Sequence, residues 1–177
     1  MRPNQTAAPL LLALALVTAG GCSTPAAKGG GTVTVQFEEG AKFTDFGSSA
    51  DGSPYAAAQE RRQLEDVLIE LADSYIPEGF NVRLRFSDID RAGQIPPMSA
   101  RRIRVVTDHF PARAVFNYFV TDSGGEPVQH GSESLFLAFP QYLRSGSPPD
   151  TAMPDMDELF RPWFRQLGRK LPRARHE

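Results

Sequence analysis

The chain has a single cysteine, and its position takes it out of the fold. Cys22 directly follows the small residues Ala19, Gly20 and Gly21, which close an apolar run from Leu10 to Val17. Arg2 and a few polar residues precede that run. A cationic start, an apolar stretch too short to span a bilayer comfortably and a small-residue cleavage zone describe a secretory signal segment, not a transmembrane helix. A thiol at the cut is spent outside the domain. None remains for an intramolecular disulfide, a thiolate zinc site or a cysteine nucleophile. The chain beyond Cys22 must therefore be held together by a hydrophobic core.

A cysteine in this place is similar to the acylated residue of bacterial lipoproteins. On that reading residues 1–21 are the signal peptide and Cys22 is the lipidated N-terminus. Ala19 stands where the lipoprotein pattern usually has Leu. Ser23 follows the cysteine in place of the Asp that resembles an inner-membrane retention signal. The expected location is the outer membrane, with the domain facing the periplasm. One acyl chain binds a membrane marginally and several make a stable anchor. Residues 22–31 are rich in Gly, Ala and Pro and read as a flexible tether. Residues 32–172 have the length of one domain able to bury a real core, and residues 173–177 form a basic tail. A net charge of −2 gives no global argument for a nucleic-acid partner.

Alternation marks the strands. Val33, Val35 and Phe37 share one face of a first strand over 32–38. Val82, Leu84 and Phe86 do the same over 80–86, exposing Arg83 and Arg85. A short strand is expected over 103–106. Residues 112–121 and 128–137 read as a pair joined by a turn at Ser123-Gly124-Gly125. Helical spacing places Leu64, Val67, Leu68, Leu71, Ala72 and Tyr75 on one stripe after Ser53-Pro54, a plausible cap and first-turn pair. A last helix carries Met156, Leu159, Phe160, Trp163, Phe164, Leu167 and Leu171, with Pro162 predicting a kink. Runs of strands with few helices predict an α+β two-layer sandwich: a mainly antiparallel sheet of four to five strands with two helices on one face.

Several stretches resemble a family of Gram-negative envelope proteins known as domain of unknown function 3016. They are Val33-Thr34-Val35-Gln36-Phe37, Lys42-Phe43-Thr44-Asp45-Phe46, Asp88-Ile89-Asp90-Arg91-Ala92-Gly93, the segment from Ile103 to Arg113, Gly131-Ser132-Glu133 and Trp163-Phe164. Arg91 replaces an apolar residue of the family pattern, and the acidic, Met-containing turn after Glu133 is missing. The resemblance implies an envelope location and no particular activity, catalytic residue or cofactor.

The chemistry must then be read from the residues. Period-two geometry puts Asp88 and Asp90 on one face at a strand end, where they could hold magnesium or calcium and support a metal-assisted hydrolase. Such ions want six or more oxygens, and no compact set of acidic ligands follows. The competing role is structural, with the two carboxylates accepting loop N–H bonds and pairing with Arg91 or Arg113. His109, His130 and Glu133, or Asp45 with Glu133, could join a hydrolytic site. No Gly-x-Ser-x-Gly elbow is present to supply a serine nucleophile. No catalytic residue and no cofactor are assigned.

Two surfaces suggest binding. Arg161, Arg165 and Arg169 lie four apart on the last helix, a basic stripe suited to anionic phospholipid or to solvent alone. Val115 and Phe119 project from the strand face opposite Ala114, Phe116, Tyr118 and Val120. That second face is covered either by the loop 138–149, with Phe139, Tyr142 and Leu143, or by a partner or lipid. The preferred reading is a non-enzymatic envelope module that binds a protein or phospholipid.

Overall fold

A computed structural model describes residues 30–39, 41, 43–46, 54–96, 104–107, 109–145 and 150–172. Cys22, most of the tether, Ser53 and the basic tail lie outside the described residues. The alternating segments form four strands: β1 (Thr32–Phe37), β2 (Asn81–Asp90), β3 (Ala112–Thr121) and β4 (Pro127–Leu137), adjacent in that order. The 22-residue helix α1 (Pro54–Tyr75) carries the chain from β1 to β2, which are parallel. A parallel neighbour needs such a crossover. β2, β3 and β4 pair antiparallel. The one-turn helix α2 (Tyr142–Ser145) precedes α3 (Pro154–Lys170). The molecule is an α+β sandwich with a mixed sheet. In place of a strand over 103–106 the described residues show a single bridge, Gln94 to Val105. Val105 is exposed, so no burial rewards a longer ladder there.

One face of the sheet and one stripe of each long helix make the core. Leu64, Val67, Leu68, Leu71 and Ala72 of α1 are buried, as are Met156, Leu159, Phe160, Trp163, Phe164 and Leu167 of α3. They meet Val33, Val82, Leu84, Phe86, Ala114, Phe116 and Val120. Phe116 packs at 5.4 Å from Phe160 and at 5.1 Å from Trp163, the latter edge to face. α3 runs unbroken through Pro162, whose ring lies on the solvent side. Gly168 lets this helix approach the end of α1: a Cβ there would lie 1.9 Å from the Tyr75 carbonyl oxygen.

A bulge at Ser87 decides which way the end of β2 faces. The register slips between Phe86 and Asp88. Strict alternation from Val82, Leu84 and Phe86 would send residues 88 and 90 into the core. The extra residue reverses the phase. Ile89 is buried instead, and Asp88 and Asp90 stand half-buried on the other side.

Candidate functional site

Four groups of residues occupy different places on this scaffold. At the C-terminal end of β2, the Asp88 carboxylate accepts the Thr44 N–H at 2.9 Å and the Thr44 hydroxyl at 3.1 Å. It thereby holds the loop 43–46 against the sheet. Asp45 pairs with Arg104, which also donates to the Gly93 carbonyl at 3.0 Å. Burial pushes the Asp90 carboxyl above its ordinary value, and the charges of Asp45 and Asp88 add to the effect against Arg104 and Arg113. Among the described residues no three His, Cys, Asp or Glu side chains converge in a way that could hold a metal ion. The Asp88 oxygens are already engaged by Thr44.

Arg91 does not pair with these aspartates. It turns under α3, where Asp155 accepts from its Nε at 3.1 Å and its Nη2 at 2.8 Å. Asp155 also accepts the Ala92 N–H at 3.2 Å, and Glu60 of α1 lies 3.4 Å from Nη1. Burial opposes the Arg91 charge, but the hydrogen bonds and charge of Asp155, with Glu60, raise its pKa above the usual value. Among the described residues Asp155 is the buried charged side chain of the core. In the sequence it resembles an ordinary first-turn acid placed to favour the helix dipole. Arg91 beside the Asp-Ile-Asp segment gives no local sign that its partner lies on α3.

The histidines and Glu133 are not brought together. His130 stacks on Phe119 at 5.7 Å on the face away from the helices, whereas Glu133, three residues on, faces α3 beside Trp163. His109 is exposed in the segment before β3.

The arginines of α3 are partly committed to structure. Arg161 binds Asp157 through both carboxylate oxygens and donates to the Tyr75 hydroxyl at 3.3 Å. Arg165 lies over the Tyr75 ring at 5.6 Å. Hydrogen bonds from Arg165 and Arg161 pull the Tyr75 hydroxyl below its ordinary pKa. Arg169 is exposed beside a cleft of about 460 Å³ that also meets Gly30, Asp73 and Glu78.

The remaining group is the open face of the sheet. The described part of the loop expected to cover it goes elsewhere. The backbone N–H groups of Gln141 and Tyr142 donate to Glu158 of α3, on the helix side. Among the described residues, the outer face presents Thr34 and Gln36 from β1, and Arg83 and Arg85 from β2. The end of β2 beyond its bulge adds Asp88 and Asp90, β3 adds Arg113, Val115, Asn117 and Phe119, and β4 adds His130, Ser132, Ser134 and Phe136. Register puts Arg83 opposite Phe119, Arg85 opposite Asn117, and Phe119 opposite His130. Gln36, Arg83, Arg85, Asn117 and Phe119 surround a shallow depression of about 280 Å³. Phe119 is 41 % exposed and Phe136 65 %. Sequence reading finds Val115 and Phe119 but not their arginine neighbours, which only the pairing of β2 with β3 places beside them.

Residues 31–166 match the family model described as "Protein of unknown function (DUF3016)". A comparison with curated proteins found no match.

Proposed function

This chain belongs to the DUF3016 family of proteins of unknown function, and from that starting point we propose that it is a lipid-anchored envelope protein whose domain is a binding module and not an enzyme. Cys22 carries the lipid, the outer membrane holds it, and the domain faces the periplasm. The observation that supports binding is the open sheet face. Its central part interleaves Arg83 and Arg85 with Phe119 and His130 and is lined by the uncharged Thr34, Gln36, Asn117 and Ser132. Glu38 reaches the edge of that area, 3.5 Å from Arg85, an exposed pair worth little and readily exchanged. Guanidinium groups beside exposed aromatic faces suit a partner that brings carboxylates and apolar side chains together. The occupant proposed is an acidic, partly apolar segment of another envelope protein.

A photo-crosslinking residue at Phe119, with one at the exposed Gln59 of α1 as control, tests this in intact envelopes. The expected result is a discrete protein adduct from position 119 alone, lost when Arg83 and Arg85 are changed to Glu. Adducts that are mainly phospholipid, or equal labelling from both positions, would overturn the protein-partner reading.

A further inference from the structure

We propose that the cleft between the end of α1 and α3 is a phospholipid head-group site selective for phosphoethanolamine, the zwitterion that joins a phosphate to a primary ammonium. For its membrane source the site rests on the lipid-anchor reading of Cys22, and it lies on the helix side, away from the open sheet face. The cleft, about 460 Å³, has charges of opposite sign on its two walls. One wall is the carboxyl end of α1 and the turn after it, with Asp73, Ser74 and Glu78. The other is α3, with Arg165 and Arg169. Among the described residues no ion pair joins the two walls, so the opposite charges stand apart across the space between them.

Each wall carries charge that its own element does not neutralise. Arg161 is taken by Asp157, whereas Arg165 meets the ring and hydroxyl of Tyr75 and no carboxylate among the described residues. α1 has no basic residue in its last turn to offset the negative end of its dipole. Asp73 accepts the Gly30 N–H at 3.2 Å through Oδ1, which leaves Oδ2 open among the described residues. A ligand that satisfies both walls brings a negative group to the arginines and a positive group to the carboxylates. An anion alone would gain from α3 and be repelled by Asp73 and Glu78. The positive group is a primary ammonium because it has three N–H donors, and Asp73, Glu78 and the Ser74 hydroxyl accept. A quaternary ammonium has no donor and is held instead on aromatic faces. The aromatic ring of this lining is Tyr75, whose face already carries the Arg165 guanidinium at 5.6 Å. Position selects a lipid over a free zwitterion. Gly30 lines the cleft and lies eight residues beyond Cys22, so the site is tied within about 29 Å of the anchor.

The test holds the lipidated protein in a non-ionic detergent micelle at about 0.15 M salt, where diffuse surface attraction is screened. Short-chain phospholipids with ethanolamine, choline or glycerol head groups are titrated in and followed by calorimetry. The ethanolamine lipid should saturate a single site and bind about tenfold more tightly than the other two, the worth of one hydrogen bond to a charged group. Asp73→Asn and Glu78→Gln should each bring it down to the level of the choline lipid. The melting temperature should not change, since the amide at position 73 still accepts from Gly30. Arg169→Ala should weaken all three lipids alike. Equal affinity for the three head groups, a preference for the glycerol lipid, or selectivity that survives both carboxylate changes would overturn the proposal. So would glycine, a soluble zwitterion, bound as tightly as the ethanolamine lipid. Palmitate labelling of Cys22 reads the anchor by itself, so a lost anchor with selectivity intact and lost selectivity with the anchor intact are different results.

Discussion

Replacing Asp155 with Ala should be the most damaging polar substitution in the domain. Asp155 is 2 % exposed and accepts three hydrogen bonds, two from Arg91 and one from the Ala92 N–H. Its loss leaves a guanidinium whose side chain is only 15 % exposed, facing Glu60 at 3.4 Å as a weaker partner. Breaking a buried pair from one side costs about 3–5 kcal/mol, because the remaining charge stays desolvated. The Glu60 contact argues for the lower end, about 3 kcal/mol, a large share of the roughly 5–15 kcal/mol a domain possesses. With a urea slope of about 2 kcal/mol/M, the unfolding midpoint followed by far-UV circular dichroism should fall by ~1.5 M. Removing both charges is a different perturbation. Arg91→Met with Asp155→Leu should recover most of the loss, since a buried ion pair replaced by apolar residues is often neutral. A midpoint within about 0.3 M of wild type for Asp155→Ala would refute the argument. So would a double variant no better than the single one, which would place the cost in the Ala92 N–H.

Five further variants have expected outcomes. Trp163→Ala, which removes an indole packed on Phe116, Tyr118 and Phe164, should cost about 3–5 kcal/mol by denaturant titration; wild-type stability would show that α3 does not dock as described. Asp88→Asn should lower the melting temperature by weakening the Thr44 bonds, whereas Asp90→Asn should raise it at neutral pH. The sign comes from linkage: the raised Asp90 pKa makes the folded state hold the proton more tightly, so its contribution is present in acid and lost as pH rises through the folded value. Melting curves taken from about pH 4 to pH 7 should show that falling component in wild type and not in Asp90→Asn. Arg165→Ala should cost under about 1 kcal/mol through its Tyr75 contact and weaken adhesion to anionic vesicles at low salt; a large stability loss with adhesion unchanged would make the stripe structural. Cys22→Ser should abolish palmitate labelling and membrane recovery, and persistence of both would end the lipoprotein proposal.

Much of this architecture is legible in the sequence because burial repeats with the period of each element. Val82, Leu84 and Phe86 announce β2, and Leu159, Phe160, Trp163, Phe164 and Leu167 announce the docked stripe of α3. Local patterns fail where a long-range contact decides. Nothing near Ser87 signals a bulge, so the burial of Ile89 emerges only from pairing with β3. Arg91 looks like a partner for its neighbouring aspartates until the chain returns, sixty-four residues later, with Asp155. The loop from 138 onward carries Phe139, Tyr142 and Leu143, an apolar set able to cover a sheet. The carboxylate of Glu158, accepting from Gln141 and Tyr142, directs it to the helix layer instead. The open face was thus half legible: Val115 and Phe119 by alternation, but Arg83 and Arg85 beside them only through register.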